Sequence, residues 1–236
     1  MAELFNLSLY SDANLKGYWR LNGNSTASVG GINGSDTSIS YIGGKYAEGA
    51  LFNGSSSKIV VADNNAWSIP TTGKLSIAFW AKGTSLKGNN TACMKGTDTG
   101  NQYEYRVNFC NSAGQAGFEI WDLTGNQRYN TTTSSDFIKA GQWYHVVVTV
   151  DNSIAWANTN AKIYINGSDA SATYAGSSSY TLSNGTAALE LGRRSDSINV
   201  FFDGELDDFS AWDDVLTLAE IKALYADGGL LHNDFI

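Results

Sequence analysis

The chain has 236 residues, of which 42% are hydrophobic and only 16% are charged. Its 15 basic and 23 acidic side chains give a formal charge of −8, which repels phosphate groups, so we expect neither nucleic acid nor an anionic membrane surface as partner. No apolar run approaches the roughly 18 residues that a membrane-spanning helix needs, so no membrane insertion is expected. The N-terminal segment has neither the basic region nor the apolar core of a signal peptide.

Alternation of apolar and polar residues dominates the chain and predicts β-strands. It is clearest in residues 75–80, 102–109, 118–121 and 144–150, which are separated by clusters of Gly, Asn, Asp and Ser. Asn166-Gly167 directly follows another such segment and is typical of a type I′ hairpin turn. About a dozen segments of this kind predict two antiparallel sheets of roughly six strands each, packed face to face.

One helix is predicted near the C-terminus. Thr217 and Glu220 form a capping-box pattern, in which each side chain satisfies a backbone N–H at the start of the helix. Apolar residues follow at helical spacing, and Gly228-Gly229 offers a C-terminal stop. No repeat or linker divides the sequence, so we expect a single domain over residues 1–236, with its core at about 15–228 and a flexible C-terminal tail.

The two cysteines, Cys93 and Cys110, lie in neighbouring strand-like segments. A disulfide between them would stabilise the fold by about 3 kcal/mol, and two buried free thiols are an equally good interpretation. With no third cysteine and no suitably placed histidine pair, a zinc cluster is excluded.

Six stretches carry motifs in a fixed order. They are G-Y-W-R-L-N-G (17–23), the two segments within 43–61, L-S-I-A-F-W-A-K (75–82), G-Q-W-Y-H-V-V-V-T-V-D (141–151), K-I-Y-I-N-G (162–167), and the closing strand and helix of 202–225. Together they resemble the laminin-G-like jelly-roll family of the concanavalin A-like lectin/glucanase superfold. The resemblance implies an all-β, two-sheet antiparallel jelly-roll sandwich with one short C-terminal helix. The same fold hosts lectins, adhesins, hydrolases and structural modules, so it indicates fold more than function.

The resemblance also implies a structural Ca²⁺ ion. Related jelly rolls hold it between the first strand, the following loop and the closing strand. In this sequence the resemblance places the ligands at Asn22, a backbone carbonyl near Gly44, and Asp207. Oxygen ligands of this kind suit calcium. The family often has Asp where Asn22 stands, which lowers the charge of the site in this chain. The alternative is that Asp207 and Asp208 are solvated residues of the closing strand.

A sugar site needs a flat aromatic ring and planar polar groups. Since Phe118 and Ile120 are the apolar members of their segment, alternation predicts that Trp121 points away from the core and is exposed. Glu104 and Arg106 are two residues apart, so we expect them to share a face and to orient one another.

Two further residues complete this prediction. Trp80 and Arg128 would extend the same concave sheet surface beside Trp121. In the alternative interpretation, Trp80 packs under a loop and Trp121 is covered by the loop around Tyr129. The binding site would then be formed by the loop tryptophans Trp67 and Trp156.

Catalysis is not expected. Glycoside hydrolases of this superfold carry an E-x-D-x-x-E strand, and the nearest match, Glu119 to Asp122, lacks the second glutamate because Gly125 stands there. His145 is interpreted as a structural residue, and no nucleophile elbow or phosphate-binding loop occurs.

The sequence therefore favours a calcium-supported carbohydrate-binding or adhesive module that recognises a glycan or a glycosylated surface. An alternative is a structural or decorative module of a phage, virion or cell surface, within a larger surface assembly and without a small-ligand site. A glycan hydrolase or lyase of the same superfold ranks third. In each case we expect an extracellular, virion-surface or cell-surface location.

Overall fold

The computed structural model describes residues 9–88, 90–97, 102–121, 127–153, 160–176, 182, 184–196 and 200–226. Its strands are β1 (Leu15–Trp19), β2 (Ala27–Val29), β3 (Gly34–Thr37), β4 (Ser40–Gly43), β5 (Glu48–Asn53), β6 (Lys58–Val61), β7 (Lys74–Gly83), β8 (Asn90–Thr97), β9 (Gln102–Cys110), β10 (Gly117–Trp121), β11 (Gln127–Thr132), β12 (Tyr144–Asp151), β13 (Ala161–Ile165), β14 (Ser168–Asp169), β15 (Thr173–Gly176), β16 (Leu189–Leu191) and β17 (Asp203–Trp212). Its helices are a 3₁₀ turn at Asn65–Trp67, α1 (Ile69–Thr72) and α2 (Leu218–Ala226).

The strands form two antiparallel sheets, which confirms the predicted all-β jelly-roll class. Sheet A has nine strands in the order β14-β13-β12-β7-β17-β1-β2, with β5 pairing β17 and β4 pairing β5. Sheet B has eight strands in the order β15-β11-β10-β9-β8-β16-β6-β3. The prediction of roughly six strands each was too low, because β2, β3, β4, β14 and β15 have two to four residues each and show no clear alternation.

The long strand β17 organises sheet A. Along one side it pairs with β7, and along the other it pairs first with β5 and then with β1. The register with β7 shifts between Asp207 and Ser210, and Asp208 takes a positive φ of 54°. This bulge places two consecutive aspartates, Asp207 and Asp208, beside the end of β1 and the start of β5.

One hydrophobic core joins the inner faces of the two sheets. Phe79 and Val148 of sheet A and Val107 and Phe118 of sheet B belong to the same cluster of buried side chains. All four side chains are at most 1% exposed. The alternating apolar residues of the sequence are therefore the residues that fill the space between the sheets.

Helix α2 covers part of the outer face of sheet A. Its Ile221 and Leu224 pack with Tyr18, Val147 and Trp212 in a second buried cluster.

The predicted capping box at the start of α2 is confirmed. The backbone N–H of Thr217 donates to Glu220 Oε2 at 2.7 Å, and the backbone N–H of Glu220 donates to Thr217 Oγ1 at 3.3 Å. The C-terminal tail from residue 227 onward lies outside the described residues.

Cys93 and Cys110 are buried free thiols. In the β8–β9 pair, Cys93 faces Val107 while Cys110 faces Asn90, so the register holds the two cysteines apart. The side-chain amide of Asn90 donates to the sulfur of Cys110 at 3.6 Å. Of the two interpretations left open above, the structure therefore has the free thiols.

Candidate functional site

The outer face of sheet B carries a polar cluster with one tryptophan. Strands β9 and β10 pair so that Arg106 faces Glu119, while the neighbouring Val107 and Phe118 enter the core. Alternation therefore sends Arg106, Glu119 and Trp121 away from the core, as predicted for Trp121.

Arg106 and Glu119 form a nearly buried ion pair at the centre of this face. Arg106 Nη2 contacts Glu119 Oε2, and the side-chain amide of Asn108 donates to Glu119 Oε1 at 3.4 Å. Thr91 Oγ1 in turn donates to Asn108 Oδ1 at 2.9 Å. We call Thr91, Arg106, Asn108, Glu119 and Trp121 the Arg106 cluster. Thr91 and Asn108 were not predicted as site residues, although Asn108 follows Arg106 at the same-face spacing of two.

Burial works against both charges of this pair. It lowers the pKa of Arg106, and it raises the pKa of Glu119 although the Arg106 charge pulls it down. Two N–H groups of the Arg106 guanidinium, at Nε and Nη1, are buried and make no hydrogen bond, and neither does Asn130 Oδ1 on the adjacent strand β11. The face thus keeps unused hydrogen-bonding capacity at its centre.

The prediction that Trp121 is exposed was wrong. Only 8% of Trp121 is exposed, because its ring lies 5.2 Å from the Arg106 guanidinium and 6.4 Å from the ring of Tyr103. Alternation set the direction of the side chain but not how far its neighbours cover it. Tyr129 itself lies in the core and donates from its hydroxyl to the Ala161 carbonyl at 3.2 Å, while residues 122–126 of the loop before it lie outside the described residues.

The predicted partnership of Glu104 with Arg106 is also wrong. Glu104 Oε1 accepts from Lys95 Nζ at 2.6 Å, from Ser68 Oγ at 3.2 Å and from the Gly185 N–H at 3.2 Å. Lys95 also contacts Asp63 at 2.7 Å. The reason is a register shift between Lys95 and Gly96, which changes how this end of β9 meets β8. Glu104 is therefore held in a buried network with Lys95, away from Arg106.

Trp80 does not share a surface with Glu104 and Trp121, because β7 belongs to sheet A and β9 and β10 belong to sheet B. Its ring is 3% exposed and is packed by Tyr46 at 5.7 Å, His145 at 5.2 Å and Tyr225 at 5.8 Å.

The remaining predicted aromatic and basic residues do not extend the cluster. Trp67 is 1% exposed and packs on Trp19 at 5.7 Å, so it belongs to the core and cannot line an edge site. The side chain of Arg128, and the whole of Trp156 and Asp122, lie outside the described residues.

Two of the three residues predicted for calcium lie together. A Cβ placed on Gly44 would be 2.7 Å from Asp207 Oδ2, and the same oxygen accepts from the Tyr46 N–H at 2.9 Å. The Asp208 N–H donates to the Arg20 carbonyl at 3.4 Å, which brings the loop containing Asn22 alongside β17. Asn22 itself lines a polar pocket of about 300 Å³.

Asp207 has a chemical reason to hold a cation. Its carboxylate is fully buried, and Oδ1 has no hydrogen-bond partner. Burial, and secondarily the Asp208 charge, raise the pKa of Asp207 to about 8. No group of three His, Cys, Asp or Glu side chains that could hold a metal occurs in the described part of the chain. An ion here would therefore depend on Asn22 and on backbone carbonyls.

The fold and these sites place the chain among known proteins. It belongs to the Laminin_G_3 family of the concanavalin A-like lectin/glucanases superfamily, whose sequence profile matches residues 53–222. No curated protein matches it in sequence. None of the helices in the described ranges is long and apolar enough to cross a membrane.

Several solved structures share the fold. Domain 4 of AbnA, a GH43 extracellular arabinanase from Geobacillus stearothermophilus solved with arabinotriose, is 22% identical over 91% of this chain and 100% of that one, with a TM-score of 0.62. The botulinum neurotoxin serotype C1 binding domain is 15% identical over 95% of this chain and 53% of that one (TM-score 0.68). Trypanosoma rangeli sialidase is 15% identical over 91% of this chain and 33% of that one (TM-score 0.63). At these identities the likeness concerns the fold.

Proposed function

We propose that this protein is a non-catalytic carbohydrate-binding module that acts outside the cell or on a surface, and that it binds glycans at the Arg106 cluster. The observation that carries the proposal is the pair of buried, unpaired N–H groups on Arg106, which lie beside the Trp121 ring and the Glu119 carboxylate. Sugar hydroxyls supply the acceptors that such donors lack, and an indole edge supplies apolar contact.

The related structures support this class of ligand. The arabinanase domain, which has the same fold, was solved with arabinotriose. The botulinum neurotoxin structure with this fold is a binding domain. Glu119 has its carboxylate engaged by Arg106 and Asn108, which suits the binding of hydroxyl groups better than proton transfer.

The test compares two ion-paired arginines, Arg106 of β9 and Arg193, which follows β16. Arg106→Met removes the cluster's donors, whereas Arg193→Met removes a guanidinium that pairs with Glu190 outside the cluster. We expect Arg106→Met to weaken binding at least about tenfold on a glycan microarray, because hydrogen bonds to charged groups contribute roughly 1.5–3 kcal/mol. Arg193→Met should bind like the wild type. Equal binding by both variants, or no glycan bound by the wild type, would refute the proposal.

We further propose that calcium supports this module through Asp207, Asn22 and the carbonyl of Gly44. The buried, unpaired Asp207 oxygen supports it. An ion bound only by the folded state raises the melting temperature, so chelator should lower it in the wild type and leave Asp207→Ala unchanged. Asp136→Ala, at a carboxylate that is 84% exposed, should keep the calcium response. Identical melting of the wild type with chelator and with millimolar calcium would contradict the proposal.

A structural surface module without a small-ligand site is the second candidate. It is favoured by the burial of the cluster, in which Arg106 is 5% exposed and Trp121 is 8% exposed. In that case Arg106→Met would lower the melting temperature while the wild type bound no glycan.

A further inference from the structure

We propose a second saccharide-binding subsite on the opposite surface of the sandwich, formed by Trp143, Lys82 and Glu205 on the outer face of sheet A. We call these three residues the Trp143 row. The proposal extends the carbohydrate-binding function but does not depend on the Arg106 cluster, which lies on the other sheet.

Strand pairing aligns the row across sheet A. Glu205 of β17 faces Leu51 of β5 on one side and Lys82 of β7 on the other. Trp143 directly precedes Tyr144, which faces Ala81, so Trp143 follows in register beside Lys82. The inner neighbours Ala81 and Leu206 belong to the core, so the row points outward.

The side chains of the row contact one another. Lys82 Nζ lies 2.7 Å from Glu205 Oε1 and 5.1 Å from the centre of the Trp143 ring. The Lys82 side chain is 27% exposed and the Glu205 side chain 10%. The Lys82 ammonium group therefore links the Trp143 ring and the Glu205 carboxylate.

Trp143 differs from the other tryptophans. Among those that the structure describes, it is half-buried, whereas five are buried. Those five are Trp19, Trp67, Trp80, Trp121 and Trp212. Trp143 is therefore the described tryptophan that remains partly at the surface.

The chemistry of the row indicates the class of ligand. Glu205 Oε2 is buried and makes no hydrogen bond, so it is an acceptor without a donor. Lys82 and Glu205 neutralise each other, which favours uncharged hydroxyl groups over an anionic or cationic ligand. A neutral sugar ring that stacks its C–H face on Trp143 and donates a hydroxyl to Glu205 satisfies both features.

Helix α2 leaves the row uncovered. Its Tyr225 stacks on Trp80 at 5.8 Å and on His145 at 6.2 Å, and these residues form the row next to Lys82 and Trp143. Leu224 and Ile221 cover positions further from the row, around Val147 and Trp212. With one subsite on each sheet, the module would bridge two glycan segments and gain avidity from weak contacts.

The first test uses affinity electrophoresis in gels that contain arabinan, xylan or galactomannan. We expect Trp143→Ala to weaken the interaction about fivefold, the value for loss of one stacking contact. The matched control is Phe137→Ala, which removes another ring that is 41% exposed but lies outside the row.

The second test leaves the row intact. In a Trp156→Phe background, Trp143 is the accessible tryptophan of the described chain, so arabinan should reduce acrylamide quenching of its fluorescence. This protection should persist in Arg106→Met, and that result would separate the Trp143 row from the Arg106 cluster. The proposal is overturned if the gels retard Trp143→Ala as strongly as the wild type, or if arabinan does not change the quenching. It is also overturned if none of the three polysaccharides retards the wild type.

Discussion

At the scale of single residues, Lys95 is a charged side chain in the protein interior. Its side chain is fully buried, with the ammonium group between Glu104 at 2.6 Å and Asp63 at 2.7 Å. It also donates to the carbonyl oxygen of Ala187 at 3.1 Å. Burial raises the pKa of Glu104, whereas the Lys95 charge lowers it. The Lys95 ammonium group therefore stabilises the ionised form of this buried carboxyl group.

Lys95→Met should therefore destabilise the fold by about 3–5 kcal/mol at neutral pH, because it leaves a buried carboxylate without its partner. Without Lys95, the pKa of Glu104 rises further. A carboxyl whose pKa is raised in the folded state stabilises that state at low pH and loses the contribution as pH rises. The deficit of Lys95→Met should thus shrink at pH 5, as measured by urea denaturation.

The control for this variant is Lys139→Met, which breaks an exposed pair with Asp136 at 3.3 Å. It should unfold like the wild type at both pH values, because exposed ion pairs contribute little. A Lys95→Met deficit that is small, or that grows toward acidic pH, would contradict the role assigned to Lys95.

Two adjacent glycines test the packing around Asp207. A Cβ on Gly44 would lie 2.7 Å from both Asp207 Oδ2 and the Gly49 nitrogen, whereas a Cβ on Gly43 would meet nothing within 4 Å. Gly44→Ala should cost about 1–3 kcal/mol, the usual result of overpacking, and Gly43→Ala should cost almost nothing. Chemical denaturation of the two variants measures the difference, and equal stabilities would show that the loop before β5 is not packed on Asp207.

At the scale of elements, helix α2 depends on its first turn. The helix has nine residues, and Thr217 and Glu220 satisfy each other's backbone N–H groups. A helix of this length gains little from intrinsic propensity, so its cap and its packing on Trp212 hold it in place.

Thr217→Ala should destabilise the protein by about 1 kcal/mol, since it removes the cap acceptor. Thr217→Ser keeps a hydroxyl at the same position and should retain nearly full stability. Thermal melting followed by circular dichroism distinguishes the two variants. A loss as large in Thr217→Ser as in Thr217→Ala would assign the effect to the lost methyl group instead.

At the scale of the whole molecule, both sheets share one core. Phe52, Phe79 and Val148 from sheet A pack in the same cluster as Val107 and Leu189 from sheet B. Neither sheet can bury its inner face without the other, so the two sheets should unfold together.

We therefore expect a single cooperative transition in guanidinium chloride, with the same midpoint by tryptophan fluorescence and by circular dichroism. Trp19, Trp80 and Trp212 lie in strands of sheet A and Trp121 lies in sheet B, so fluorescence reports on both. Two separated transitions would show that the chain is divided into independent folding units.

The sequence by itself determined the architecture. Alternation identified β7, β9, β10 and β12 because the period of a strand is set by local backbone geometry. The Thr217–Glu220 cap predicted the helix for the same reason, since both groups belong to one turn. The motifs in 141–151 and 162–167 added the family, and the profile match over residues 53–222 agrees with them.

Only the tertiary structure decided which side chains share a surface. Trp80 and Trp121 both alternate outward, yet they lie on different sheets, and the order of strands depends on pairings between distant residues. The same holds for exposure: neighbours cover Trp121, while Trp143 is only half-buried. Glu104 pairs with Lys95 and not with Arg106, because the register between β8 and β9 shifts beside it. A register shift depends on two strands together, so neither strand's sequence predicts it alone.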